Sequence, residues 1–92
     1  MAVNEGRLAA ELVARYGRHV GWIRQAVKWS SYSLRSAERS FERQIARHER
    51  KIGQARQTGN IRAIQHWQNE ILVFQEQLQI VRDIFSARHP EA

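Results

Sequence analysis

Arg35, Arg39, Arg43, Arg47 and Arg50 recur at steps of four or three residues. With Leu34 set at 0°, they fall between about 100° and 220° around a helix, opposite the apolar side. Glu38, Glu42 and Glu49 gather at one edge of this strip. A guanidinium carries a planar fork of donors that matches phosphate bidentately, so such a row suits a phosphate backbone or another anionic surface. The plainer alternative is a solvated helix face whose charges pair with the nearby glutamates. The distribution of charge favours anion binding: residues 18–57 hold ten basic side chains against three glutamates, whereas residues 1–17 sum to zero and residues 58–92 to −1. If the helix continues towards the N-terminus, Lys28 joins the row and Arg24 sits at its edge.

Histidine is the other residue type here that could do chemistry. His48 and His19, close in sequence to arginines, are the general acid or base that a nuclease would use. His48 also falls on the apolar seam, where it would serve as a half-buried contact between helices. Folding the chain at Thr58 and Gly59 pairs residues whose numbers sum to about 117, which brings His66 near Lys51 and His48 near Asn69. No third ligand or carboxylate stands at metal spacing, and there is no phosphate loop or nucleophile motif, so neither a metal nor a cofactor is expected. Trp22, Trp29 and Tyr32, interleaved with Arg24 and Lys28, form either a base-stacking platform or ordinary core. Leu12 to Val27 resembles a helix-turn-helix, with a glycine at the turn followed by Ile23 and Ala26 six and nine residues on. Arg18 and Val13 depart from the pattern, which prefers an apolar and a small residue at those places.

The elements that position these residues read as all-α. There is one proline, five glycines and no cysteine, which excludes a disulfide framework, a cysteine nucleophile and a thiolate metal site. Asn4 and Gly17 bracket a short amphipathic helix carrying Leu8, Leu12, Val13 and Tyr16. Beyond it Val20, Val27, Leu34, Phe41, His48 and Ala55 are each separated by seven. That phase argues for one continuous helix, whereas Ser30-Ser31-Tyr32-Ser33 argues for a break; both readings stand. Ile64, Trp67, Ile71, Phe74, Leu78, Val81 and Phe85 then follow an unbroken three-four rhythm, the seam of a long helix lying along another. The expected architecture is a coiled-coil-like antiparallel hairpin of residues 34–57 and 60–88, with residues 1–33 as an N-terminal helical region in a single domain, 1–92. The second half of the closing helix adds Val73, Ile80 and Ile84 more than a quarter-turn from the seam, so a second neighbour should pack there. That neighbour is the N-terminal helix or a second protomer, which leaves a protruding tip around residues 48–68. Gln65, Gln68, Gln75 and Gln79 flank the seam with neutral polar groups, suited to a wet interface or to plain exposure. Arg88 to Ala92 reads as a fraying end.

Residues 34–52 together with His66-Trp67-Gln68-Asn69-Glu70-Ile71 and Gln75-Glu76-Gln77-Leu78-Gln79-Ile80 resemble helical hairpins near the C-termini of bacterial polymorphic toxins. Those hairpins share the pattern S-F-E-x-x-I-x-x-H-x-x-K-I, then H-W-x-x-E-I and a glutamine-containing run. The resemblance implies an origin in bacterial or phage conflict systems and a role in binding a partner, and it carries no catalytic residue to this chain. The expectation from the residues is a basic helical binding module for nucleic acid or an acidic protein or nucleoprotein surface. A nuclease toxin domain, a self-associating scaffold forming a homodimer and a helix-turn-helix regulator are the alternatives. No apolar run reaches the ~20 residues of a membrane span, and Met1 to Glu5 lacks the regions of a signal peptide, so the expected location is cytoplasmic.

Overall fold

The computed structural model describes residues 4–90. They form four helices: α1 (Glu5–Tyr16), α2 (Val20–Ala26), α3 (Ser31–Thr58) and α4 (Ile61–Arg88). The long pair α3 and α4 makes an antiparallel hairpin, and α1 and α2 pack at the end remote from its turn. The molecule measures 53 × 24 × 19 Å.

Local chemistry sets each boundary. Asn4, Ser30 and Asn60 each accept a backbone N–H three residues on, satisfying a donor that the first helical turn leaves free. Gly59, at φ +69°, closes α3: its N–H donates to Arg56 and that of Asn60 to Ala55, the paired bonds of a Schellman stop. A side chain at that φ would be strained, so the turn needs glycine.

The chain does break before α3. α2 ends at Ala26, and Val27 to Ser30 form a turn whose last residue caps α3, so the continuous helix is excluded. α3 therefore begins at Ser31, three residues before the boundary expected from the seam. The seven-residue phase crosses this break because Val27 and Leu34, on either side, enter the same core.

That core gathers Leu8 and Leu12 of α1, Ile23 and Ala26 of α2, Leu34 of α3 and Ile80, Val81 and Ile84 of α4. Ile80 and Ile84 are fully buried in it. Val73 is only half-buried and lies outside the cluster. No residue of 48–68 enters this cluster, and the turn end of the hairpin stands alone on its two-helix seam.

Of the expected fraying end, Arg88 and His89 are bonded, and Glu91 and Ala92 lie outside the described residues. Arg88 donates to the carbonyls of both Val27 and Trp29, and His89 bonds the hydroxyl of Ser31 at 3.1 Å. One guanidinium thus ties the last turn of α4 to the α2–α3 break, where carbonyls have no helical partner. Replacing Arg88 with alanine leaves those two carbonyls without that donor and should cost about 1–3 kcal/mol in denaturant unfolding. An unchanged midpoint in the Arg88→Ala variant would show the clamp to be idle.

Candidate functional site

The outward face of α3 exposes Arg35, Arg39, Arg43, Arg47 and Arg50 together. Glu38 and Glu42, the local partners of the plainer reading, are taken from across the hairpin. Arg82 of α4 donates Nε to Glu38 at 2.9 Å and an Nη to Glu42 at 3.0 Å, and these bonds raise its own pKa. Among the described residues none of the five arginines lies within 4.0 Å of a carboxylate oxygen. Arg35 rests its guanidinium on the Phe85 ring, 4.2 Å from the centroid, and the other four reach into solvent. Lys51, over Trp67 at 4.3 Å, extends the basic surface towards the turn.

Tyr32 belongs to this strip. Because α3 starts at Ser31, Tyr32 occupies the first turn at about 160° on the same wheel, within the sector of the arginines. It is 78% exposed. Trp22 and Trp29, grouped with it by sequence, turn inward: their rings meet edge to face at 5.6 Å, and Trp22 meets Phe41 at 5.9 Å. From Phe41 the aromatic contacts run on through Phe74, His48 and Trp67 along the hairpin seam. Of the expected stacking platform only Tyr32 stands clear of the core.

Arg24 and Lys28 do not extend the row. The break at Val27 to Ser30 separates them from α3, and they wall a groove of about 580 Å³ floored by Gly6, Ala9, Ala10, Val13 and Ala14 of α1. α2 is a two-turn helix with Ile23 and Ala26 fully buried. Its first turn offers Val20 and Gly21, and its exposed polar side chains are Arg24 and Gln25.

The histidines occupy separate surroundings. His48 is 7% exposed, donates Nδ1–H to the Gln44 carbonyl at 2.7 Å and packs between Trp67 and Phe74. It lies on the seam side of α3, turned away from the arginines. His66 packs on the Trp67 ring at 4.5 Å rather than meeting His48. His19 caps α2 with a left-handed backbone, φ 63°; its buried Nε2 has no hydrogen bond and stands 3.9 Å from a Glu76 oxygen. Among the described residues no three metal-binding side chains come together.

Longer-range pairs hold α1 and the α1–α2 turn to α4. Asp83 accepts from Arg15, from the Tyr16 hydroxyl at 2.6 Å and from Gln79. Burial, with this bond, pushes the Tyr16 phenol up. Glu76 accepts from Arg18 through both oxygens, and this pairing holds its carboxyl below the usual glutamate range. These acids lie in the one basic-poor segment, and they are consumed by the compact end rather than by α3.

Comparison with protein-family models, curated proteins and solved structures finds no match to this chain. A carboxylate with a lowered folded pKa stabilises above its unfolded pKa and loses that effect as pH falls through the folded value. Thermal melts should therefore show stability declining as pH drops through and below the ordinary glutamate range, and Glu76→Gln should flatten part of that decline. An identical acid limb in the variant would separate Glu76 from the clamp.

Proposed function

We propose that this protein is a non-catalytic binding module that takes single-stranded nucleic acid along the outward face of α3. The observation that carries the reading is the row Arg35, Arg39, Arg43, Arg47 and Arg50, exposed and free of carboxylates because Arg82 holds Glu38 and Glu42. A charged face that served only solubility would be expected to pair locally; here Glu38 and Glu42 are engaged by Arg82, and Glu49 makes no ion pair with the row among the described residues. The row spans about 22 Å along the helix. Tyr32 at its N-terminal end supplies an exposed ring on which a base stacks, which favours single strands over a duplex. Arginines laid along a backbone contact phosphates, and such contacts carry no sequence information, so little sequence preference is expected. The resemblance of residues 34–88 to toxin-associated hairpins supports a place in bacterial or phage conflict, as an inhibitor or accessory binder. His48, enclosed between Trp67 and Phe74, does not face a strand laid on this row, which favours binding over cleavage.

Reversing Arg39, Arg43 and Arg47 to glutamate should weaken oligonucleotide binding by at least about a hundredfold at moderate salt, with the helical content unchanged. Full binding by that variant contradicts the reading; binding of an acidic protein but no oligonucleotide by the unmodified chain, lost in the variant, would move the site to a protein partner. Tyr32→Ala should cost about 1–3 kcal/mol of affinity for a single strand and much less for a duplex. Equal losses on both would remove the stacking role.

A further inference from the structure

α4 has a face that neither the hairpin nor the core uses. Ile61, Gln65, Gln68, Leu72, Gln75 and Gln79 succeed one another at steps of four and three residues, and every one is exposed. Ile61 is 68% and Leu72 56% exposed. The row holds no charge in a chain whose residues are 26% charged. At its border Glu76 and Asp83 are already held by Arg18 and Arg15. A neutral heptad stripe with Leu72 at its middle is a packing surface without a partner in one copy.

We propose that this stripe is a homodimer interface, in which α4 packs antiparallel on α4 of a second copy about a twofold axis at Leu72. A twofold contact uses the same patch on both copies, so the patch must complement itself. Pairing residues whose numbers sum to about 144 sets Leu72 against Leu72 and Gln65 against Gln79, with Gln68 beside Gln75. Glutamine both donates and accepts, so each glutamine pair satisfies itself across the axis. On one flank Arg62 of each copy comes near Asp83 of the other, whose carboxylate Arg15, Tyr16 and Gln79 already hold, so the contact is tolerated rather than a new ion pair. A parallel arrangement would instead set Arg62 beside Arg62. The occupant is a second copy rather than an unrelated helix because the run from Gln65 to Gln79 reads alike in both directions about Leu72, with Ile61 lying beyond it. With a net charge of +6, association through the α3 face would be repulsive, whereas the α4 row brings no cation to its centre. The hairpin seam lies about 115° around α4 from the stripe, and the twofold axis keeps both α3 helices on the same side. The two arginine rows then open on one face of the dimer.

The chain contains no cysteine, so single thiols report the register directly. Under mild oxidation Leu72→Cys should form a covalent dimer, as its two copies meet at the axis. Gln65→Cys alone should not, because its copies stand about 21 Å apart along α4, while Gln65→Cys with Gln79→Cys should cross-link again. Sedimentation of the unmodified protein should give twice the 10.8 kDa chain mass, and Leu72→Glu, with unchanged helical content, should give a single chain. A single-chain mass for the unmodified protein at about 100 µM overturns the dimer, that concentration being well above the Kd of a stable pair. Cross-linking of Gln65→Cys as readily as Leu72→Cys overturns the antiparallel register. These measurements use no nucleic acid, so their outcome is independent of the binding role of α3.

Discussion

The register of α3 against α4 is the constraint on which the remainder depends. It is set by the aromatic contacts along the seam and by Arg82, which reaches across to Glu38 and Glu42 in successive turns of α3. A shift of one turn would leave one of those glutamates out of the reach of Arg82. As an exposed ion pair the contact adds little to stability. Its effect is on the distribution of charge: it removes two anions from the strip and leaves the cations on α3 uncompensated. Stability comes instead from the apolar cluster at the far end, where α1 and α2 cover the second half of α4.

This arrangement divides the molecule by function of surface. The compact end consumes two of the three acids of α4, with Asp83 and Glu76 binding Arg15, Tyr16 and Arg18. The hairpin carries the unbalanced charge outward on α3, and the outward side of α4 is neutral. Three faces of one hairpin therefore differ in chemistry: basic on α3, apolar between the helices, uncharged on α4. An elongated shape of 53 Å by about 20 Å makes these faces long enough for extended ligands.

Much of the fold was legible because it rests on local rules. The three-four rhythm from Ile64 to Phe85, the glycine at 59 and the asparagines at 4 and 60 each act within a turn or two of chain. The arginine row was legible for the same reason. What lay beyond the sequence depends on register or on chain ends. The heptad phase could not decide the break before α3, since Val27 and Leu34 contribute to the same core on both sides of it. Tyr32 joins the strip because α3 begins at Ser31 and not at Leu34. Arg24 and Lys28 leave it for the same cause. The pairing of Arg82 with Glu38 and Glu42 spans 44 and 40 positions, and the capture of the α2–α3 turn by Arg88 spans about sixty; no local pattern announces either.

The central claim is that α3 neutralises a run of phosphates with arginines that have no carboxylate partner of their own. The dependence of oligonucleotide affinity on salt counts those contacts. For a single strand engaged by all five arginines, the logarithm of affinity should fall with the logarithm of salt concentration at a slope of about −3.5. A slope near zero, or no binding at low salt, would contradict the account.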